Sequence, residues 1–195
     1  MVLFDVRKFL KLLAVSNPNS LEWLSSPIYY IKDTSGVLSG IDISRVLIIP
    51  NLYRHYLSMG RNNYQKYIEE EQDLRPKRYL YAARGCLNAL WVQRHDAKPP
   101  LDFEGLVRRF GSWGLKPKMI EELLEIIKIK RVGKEGDKCK KYPNLGRWLE
   151  RVIATEDPYS PRIPDHDLKR RTTRYLDEIF LQLLERLEFE EATAE

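Results

Sequence analysis

The chain's 195 residues, 43% hydrophobic and 31% charged, fit one domain whose core needs no disulfide or metal staple. The net charge of +5 points weakly to an anionic partner, and Cys86 and Cys139 show no Cys-x-x-Cys or Cys/His spacing, which argues against a zinc site or disulfide framework and for a reducing compartment. No apolar run is long enough to span a membrane and no signal-like segment opens the chain, so a cytoplasmic protein without membrane contact is expected.

Helical periodicity dominates from the start. Val6, Phe9, Leu10 and Leu13 recur at helical spacing, and Asn17-Pro18 ends the run because the residue before a proline avoids the helical region. Asn19 or Ser20 is placed to cap a short second helix through Leu24, carrying Trp23 inward. Residues 28–31 form the best strand candidate, and 32–40 read as a polar loop. Residues 41–49 read either as a short buried helix or as an apolar strand. Two long helices follow at 50–70 and 76–95, each opening with a proline in its first turn. Asp102 caps a short helix to Phe110. Residues 117–132 are amphipathic through Ile120, Leu123, Leu124 and Ile127. A further helix is predicted at 143–154, a proline-punctuated connector at 157–164, and a last helix at 165–189. The expectation is an all-α, mainly helical multi-helix bundle in one domain over 1–195. Residues 165–195 supply its C-terminal helix and short tail, and at most one short strand or β-hairpin lies near 28–49.

Within the helix at 50–70, Tyr53, Tyr56, Gly60, Tyr64 and Tyr67 follow at steps of three, four, four and three, so they share a stripe. His55, Met59, Asn62 and Lys66 lie beside it. The plain reading is a packed aromatic face. The sharper one is a ligand wall, with rings stacking a base and His55 and Lys66 near phosphates. Gly60 costs a helix interior roughly 1 kcal/mol relative to alanine, so it implies close helix packing or room for a ligand. On the next helix Lys77, Tyr81 and Arg84 sit at i, i+4 and i+7 and project together, a point charge, a phenol and a bidentate fork that suit a triphosphate. The competing reading is a solvated basic side opposite Leu80, Leu87 and Trp91.

Residues 128–141 hold seven basic residues against Glu135 and Asp137. Such runs are commonly solvated loops, yet Lys128, Lys130, Arg131, Lys138, Lys140 and Lys141 are the best nucleic-acid contacts in the sequence. In the last helix Lys169, Arg170 and Arg171 crowd the N-terminal turns and glutamates crowd the C-terminal end, both against the helix dipole. Asp165-His166-Asp167 follows a proline at a helix start and reads as a cap rather than a metal pair. His95-Asp96 lacks further ligands for a metal phosphohydrolase. There is no Walker loop or Gly-x-Ser-x-Gly motif. No catalytic or metal-ligating residue is assigned within the chain.

Taken in order, DVRKFLKLLAVSNPNSLEWLSSPIYY, YRHYLSMGRNNYQKYI, KRYLYAARGCLNALWV and the KPPLDFEGLV segment resemble the predicted nucleotidyltransferases of the DNA polymerase beta superfamily, of the RNA-repair-associated type. The resemblance runs over much of 5–134. It implies a small α/β catalytic domain, with a Gly-Ser turn, an Asp-x-Asp pair and a third carboxylate holding divalent metals, followed by a helical domain that helps hold the nucleoside triphosphate. Only the helical part is matched here. Gly111-Ser112 is the only Gly-Ser pair, with no strand and Asp-x-Asp following it, and only four residues precede Asp5. The expectation is therefore a truncated or split enzyme, inactive alone, with His55, Lys77, Tyr81 and Arg84 as nucleotide contacts. No cofactor is expected in this chain by itself, while Mg2+ and NTP belong to the complete family enzyme. The expected partners are a nucleoside triphosphate, RNA or DNA, and a separate catalytic domain. The alternative is a stand-alone basic helical adaptor that binds nucleic acid or a protein through 128–141 and Lys169 to Arg171.

Overall fold

Eight α-helices, one 3₁₀ turn and one π-helical turn make up the secondary structure of the described residues, with no strand among them, so the chain is all-α as its periodicity predicts. The computed structural model describes residues 5–28, 33, 35–70, 74–134, 136–155, 157–159 and 166–194, with side chains as far as 186. The chain divides into two compact units, one from 1–52 with 161–195 and the other from 53–160.

In the first unit, Asp5 caps α1 (Val6–Ala14) by accepting the Lys8 N–H at 2.8 Å. The helix ends where the Leu12 and Leu13 carbonyls accept from Asn17 (3.0 Å) and Ser16 (2.9 Å). This closure needs a left-handed residue, supplied by Ser16 at φ 54°. A non-glycine there is held by its side chain. The fully buried Ser16 Oγ donates to the Val46 carbonyl at 2.8 Å and accepts from the Ile48 N–H at 2.7 Å.

Asn17, not Asn19 or Ser20, caps α2 (Pro18–Leu24), accepting from Asn19 N–H at 3.0 Å with Pro18 in the first turn. Trp23 does not turn inward. It is 45% exposed and stacks on Phe9 of α1, with ring centres 6.3 Å apart. Of the strand candidate at 28–31, Ile28 is exposed and 29–31 lie outside the described residues. The ambiguous stretch 41–49 is neither helix nor strand throughout. Asp42 caps a 3₁₀ turn (Ile43–Val46), Leu47 is extended, and α3 (Ile49–Asn63) then begins. α8 (His166–Ala194) holds that turn: Tyr175 accepts from the Asp42 N–H at 2.8 Å and Thr172 donates to the Arg45 carbonyl at 3.1 Å. The Arg45 guanidinium lies 3.7 Å from the Tyr175 ring centre. Leu10, Leu13, Leu21, Val46, Tyr175, Leu176 and Ile179 are buried together with them.

The second unit is arranged around α4 (Pro76–His95), with α5 (Phe103–Ser112), α6 (Pro117–Val132) and α7 (Pro143–Ile153). Its core includes Tyr79, Leu87, Leu106, Val107, Leu123, Ile126, Leu145 and Leu149. α3 changes register after Asn63, whose side-chain amide donates to the Met59 carbonyl at 2.9 Å and so competes for that turn's acceptor. The π-helical turn Tyr64–Glu69 follows and buries Tyr64 and Ile68.

Gly60 has the packing explanation. A Cβ on Gly85 would lie 2.4 Å from the Gly60 nitrogen and 2.7 Å from the Tyr56 carbonyl oxygen, while one on Gly60 would lie 2.9 Å from Cys86 Sγ. Two glycines thus let the backbones of α3 and α4 touch. α7 is capped from another helix: Glu122 of α6 accepts from the Leu145 N–H at 2.8 Å and the Asn144 amide at 2.7 Å, placing negative charge at the positive helix end. At the other end of α7, Arg61 donates to the Ile153 carbonyl at 3.1 Å.

Candidate nucleotide and nucleic-acid interfaces

The tyrosine stripe is mostly core. Tyr53, Tyr56 and Tyr64 are buried, and Tyr53 meets Tyr159 edge-on with ring centres 5.3 Å apart. Burial first, and then the Asp157 carboxylate, raises the Tyr53 hydroxyl above its ordinary value. Burial and Glu150 do the same for Tyr64. Tyr67 is half-buried, and its ring carries the Arg78 guanidinium at 3.7 Å and the Lys66 ammonium at 5.3 Å. Three of the stripe's four rings are buried and the fourth already packs against Arg78, so the packing reading holds for most of this stripe.

The predicted nucleotide contacts are differently placed. Lys77, Tyr81 and Arg84 share one row of α4, Lys77 and Arg84 half-buried and Tyr81 41% exposed. The Lys77 ammonium lies 6.0 Å from the Tyr81 ring centre. His55, also half-buried, precedes Tyr56, whose carbonyl abuts Gly85, and Arg84 precedes Gly85. The crossing of α3 and α4 therefore brings the backbone segments of His55 and Arg84 together, whereas Lys77 stands about 10 Å further along α4.

The predicted nucleic-acid contacts divide between helix and loop. Lys128, Lys130 and Arg131 lie in the last turns of α6, and Lys138, Lys140 and Lys141 in the connection to α7. That connection is tied down: the Cys139 N–H donates to the Leu74 carbonyl at 2.8 Å and the Lys134 N–H to Asp137 at 2.7 Å. Arg131 pairs with Glu104 and Lys140 with Glu125, each at 2.8 Å. A hydrogen bond from Arg108, opposed by burial and aided by Arg131, holds the Glu104 carboxyl below its ordinary value. Part of the run's charge is thus neutralised by the fold itself. In the first unit, Lys169 and Arg170 stand with His166 and Arg174 around a cavity of about 430 Å³, and Arg170 pairs with Asp167 at 3.1 Å. Asp165, read as a cap, lies outside the described residues.

Sequence reasoning missed a cleft between α6 and α7. A cavity of about 820 Å³ is lined by Lys116, Lys118, Asn144, Arg147, Glu150 and Arg151 among others. The available signals were a Lys-Pro-Lys helix start and an Arg147/Arg151 pair at i, i+4. Each looks like ordinary surface until the fold brings them together.

Among the described residues no three of His, Cys, Asp and Glu converge on a point that could hold a metal ion. His95 stacks on Trp91, with ring centres 4.0 Å apart, and Asp96 accepts from the Tyr159 hydroxyl at 3.4 Å. The divalent cation implied by polymerase-beta chemistry therefore finds no fit in the described residues. No helix among them is long and apolar enough to cross a membrane.

Comparison with known proteins adds two findings. The family model RlaP, the RNA repair pathway DNA polymerase beta family, matches residues 1–182. The uncharacterized protein YcgL of Bacillus subtilis (strain 168) is 32% identical over 152 residues, 77% of this chain and 56% of that protein. The chain thus spans just over half the length of that relative. No solved structure matches.

Proposed function

The chain belongs to the RNA repair pathway DNA polymerase beta family, and from that premise we propose that it supplies the helical, nucleotide-gripping portion of a nucleotidyltransferase. In this reading the row of Lys77, Tyr81 and Arg84 on α4, with His55 at the α3 crossing, holds the triphosphate. The metal-binding carboxylates come from residues other than these 195, and RNA is the acceptor class that the family's name favours. The observation that supports the α4 row is its mixed exposure. Two half-buried cations flank an open phenol on one rigid helix, so the charges are partly desolvated and directionally constrained, which favours a fixed anion over loose counterions.

The proposal is tested by melting the purified chain with and without NTP, alongside a metal-dependent transfer assay. At ten times its Kd, an NTP that binds only the folded state adds about 1.4 kcal/mol, on the order of 3–6 °C for a chain of this size. Expected are that shift in the wild type, its loss in Lys77→Ala/Arg84→Ala, and no transfer by the chain alone. Robust transfer by the chain alone would overturn the division of labour, and an unchanged shift in the double variant would overturn the site. The adaptor reading through 128–141 has less behind it, because Arg131 and Lys140 are already paired.

A further inference from the structure

We propose that the cleft between the start of α6 and α7 binds the phosphodiester backbone of a single-stranded nucleic acid, with Lys116, Lys118, Arg147 and Arg151 as its phosphate contacts. The site lies apart from the α4 row and does not depend on that row binding a triphosphate.

Charge that is not neutralised carries the inference. Four cations and one carboxylate, Glu150, line the cavity of about 820 Å³. No ion pair joins Glu150 or any other described carboxylate to the four cations, in contrast to Arg54, Arg131 and Lys140, which are paired with Asp157, Glu104 and Glu125. The arginines are oriented without being neutralised: Arg147 donates to Asn144 Oδ1 at 3.1 Å, and Arg151 donates to the Arg147 carbonyl at 3.3 Å. Their i, i+4 spacing places the two residues about 6 Å apart along the axis of α7, on one face.

The opposite wall has the same bias. α6 begins with no side-chain cap and no acidic residue in its first turn, and Lys116 and Lys118 stand at its positive dipole end. Cations there are mutually unfavourable with the dipole. An anion reverses the sign of both terms, although the Met119 and Ile120 N–H groups already donate to the Lys116 carbonyl, so the lysines and the helix dipole are what it meets there. A phosphate in the cleft would thus meet both walls.

The cleft also has an aromatic exit. A second cavity, of about 380 Å³, shares Lys116, Met119 and Arg151 with the first and adds Trp113 and Trp148 to its wall. Trp113 is half-buried, backed by Phe110 at 5.0 Å and Trp91 at 5.6 Å, with the Arg94 guanidinium 4.7 Å from its ring centre. Trp148 is buried and Arg94 lies against the Trp113 ring, so the aromatic contribution beside the basic track is the part of the half-buried Trp113 ring that stays open, and in this proposal an unstacked base meets it there. A duplex keeps its base faces hidden, so the occupant is a single strand.

The test is fluorescence anisotropy with end-labelled RNA and DNA oligonucleotides of one sequence, single- and double-stranded, between about 50 and 200 mM salt. Expected for Lys116→Gln/Lys118→Gln and for Arg147→Gln/Arg151→Gln is a weakening of about tenfold or more. The slope of log affinity against log salt should flatten by roughly 1.4 for each pair, two phosphate contacts at about 0.7 each. Lys128→Gln/Lys138→Gln should change affinity less than about twofold, and Lys77→Ala/Arg84→Ala should leave it in place. Stronger binding of RNA than DNA assigns the strand to RNA through its 2′-hydroxyls, and equal binding identifies the phosphodiester alone as the recognised group; either supports the site. All four side chains are exposed, and urea melts that match the wild type exclude unfolding as the cause. The proposal is overturned by cleft variants that bind like the wild type, by salt-insensitive binding, or by preference for the duplex.

Discussion

The basic run at 128–141 and the α6–α7 cleft are both positive, yet they differ in what the fold does with the charge. The run is dense in sequence, but Glu104 and Glu125 neutralise two of its cations. The cleft draws Lys116, Lys118, Arg147 and Arg151 from two helices, leaves them without a carboxylate partner among the described residues, and makes them concave. Exposed pairs contribute little to stability, about 0–1 kcal/mol. They nevertheless remove charge from the field that an approaching polyanion meets. Under the proposal, the cleft differs from the run in gathering unpaired charge on a concave surface, since Lys128, Lys130 and Lys138 also have no ion pair among the described residues.

The largest perturbation should strike both regions alike. Gly85→Ala pushes a methyl into the α3 backbone, and overpacking against backbone should cost about 3 kcal/mol, the upper part of the usual range. Urea unfolding reads this directly, and a loss below about 1 kcal/mol would show that the two helices separate easily.

Next in size is Glu122→Ala. It removes the cap of α7 and should cost about 1–2 kcal/mol. Hydrogen exchange should quicken at the Leu145 amide, in the first turn of the helix that carries Arg147, and not at the end of α6 that carries Lys128. Equal quickening at both places would erase the distinction drawn between the regions.

Releasing the run's charge should have a smaller effect. Glu104→Gln/Glu125→Gln should raise oligonucleotide affinity a few-fold, since about two cations become available, while stability barely moves, as expected of exposed pairs. Unchanged affinity would mean that pairing is not what silences the run.

The smallest effect is one of pH. The Glu104 carboxyl is held below its usual value, chiefly by the Arg108 hydrogen bond against burial, and then by Arg131. Its contribution is therefore fully present above the ordinary value of 4.5 and disappears as the pH falls through its depressed value. The small difference in melting temperature between wild type and Glu104→Gln should exist at neutral pH and close in acid. A difference that widens in acid would reverse the assigned sign.

Much of the helical framework was readable because its boundaries carry local chemistry. Pro76 and Pro117 open helices at the predicted positions, and the helices end at His95 and Val132 as read. Asp102 caps as expected, and Asp5, not singled out beforehand, caps α1 by the same local chemistry. What escaped the sequence depends on contacts between distant residues. Gly60 signalled a close approach but could not name Gly85 as its partner. Nothing local marks Ser16 as a left-handed residue, because the groups that hold it belong to Val46 and Ile48. Tyr67 reads as an open ring until Arg78 is seen to cover it. The cleft was invisible for the same reason: its two basic pairs lie some thirty residues apart and meet only through α6 packing on α7.

The most direct measurement for the nucleotide-gripping role is an NMR titration of the 15N-labelled chain with ATP, followed at the amides of α3 and α4. The expected result is saturable shifts at His55, Lys77, Tyr81 and Arg84 that vanish in Lys77→Ala/Arg84→Ala. Saturation by ATP with those amides unmoved would contradict it.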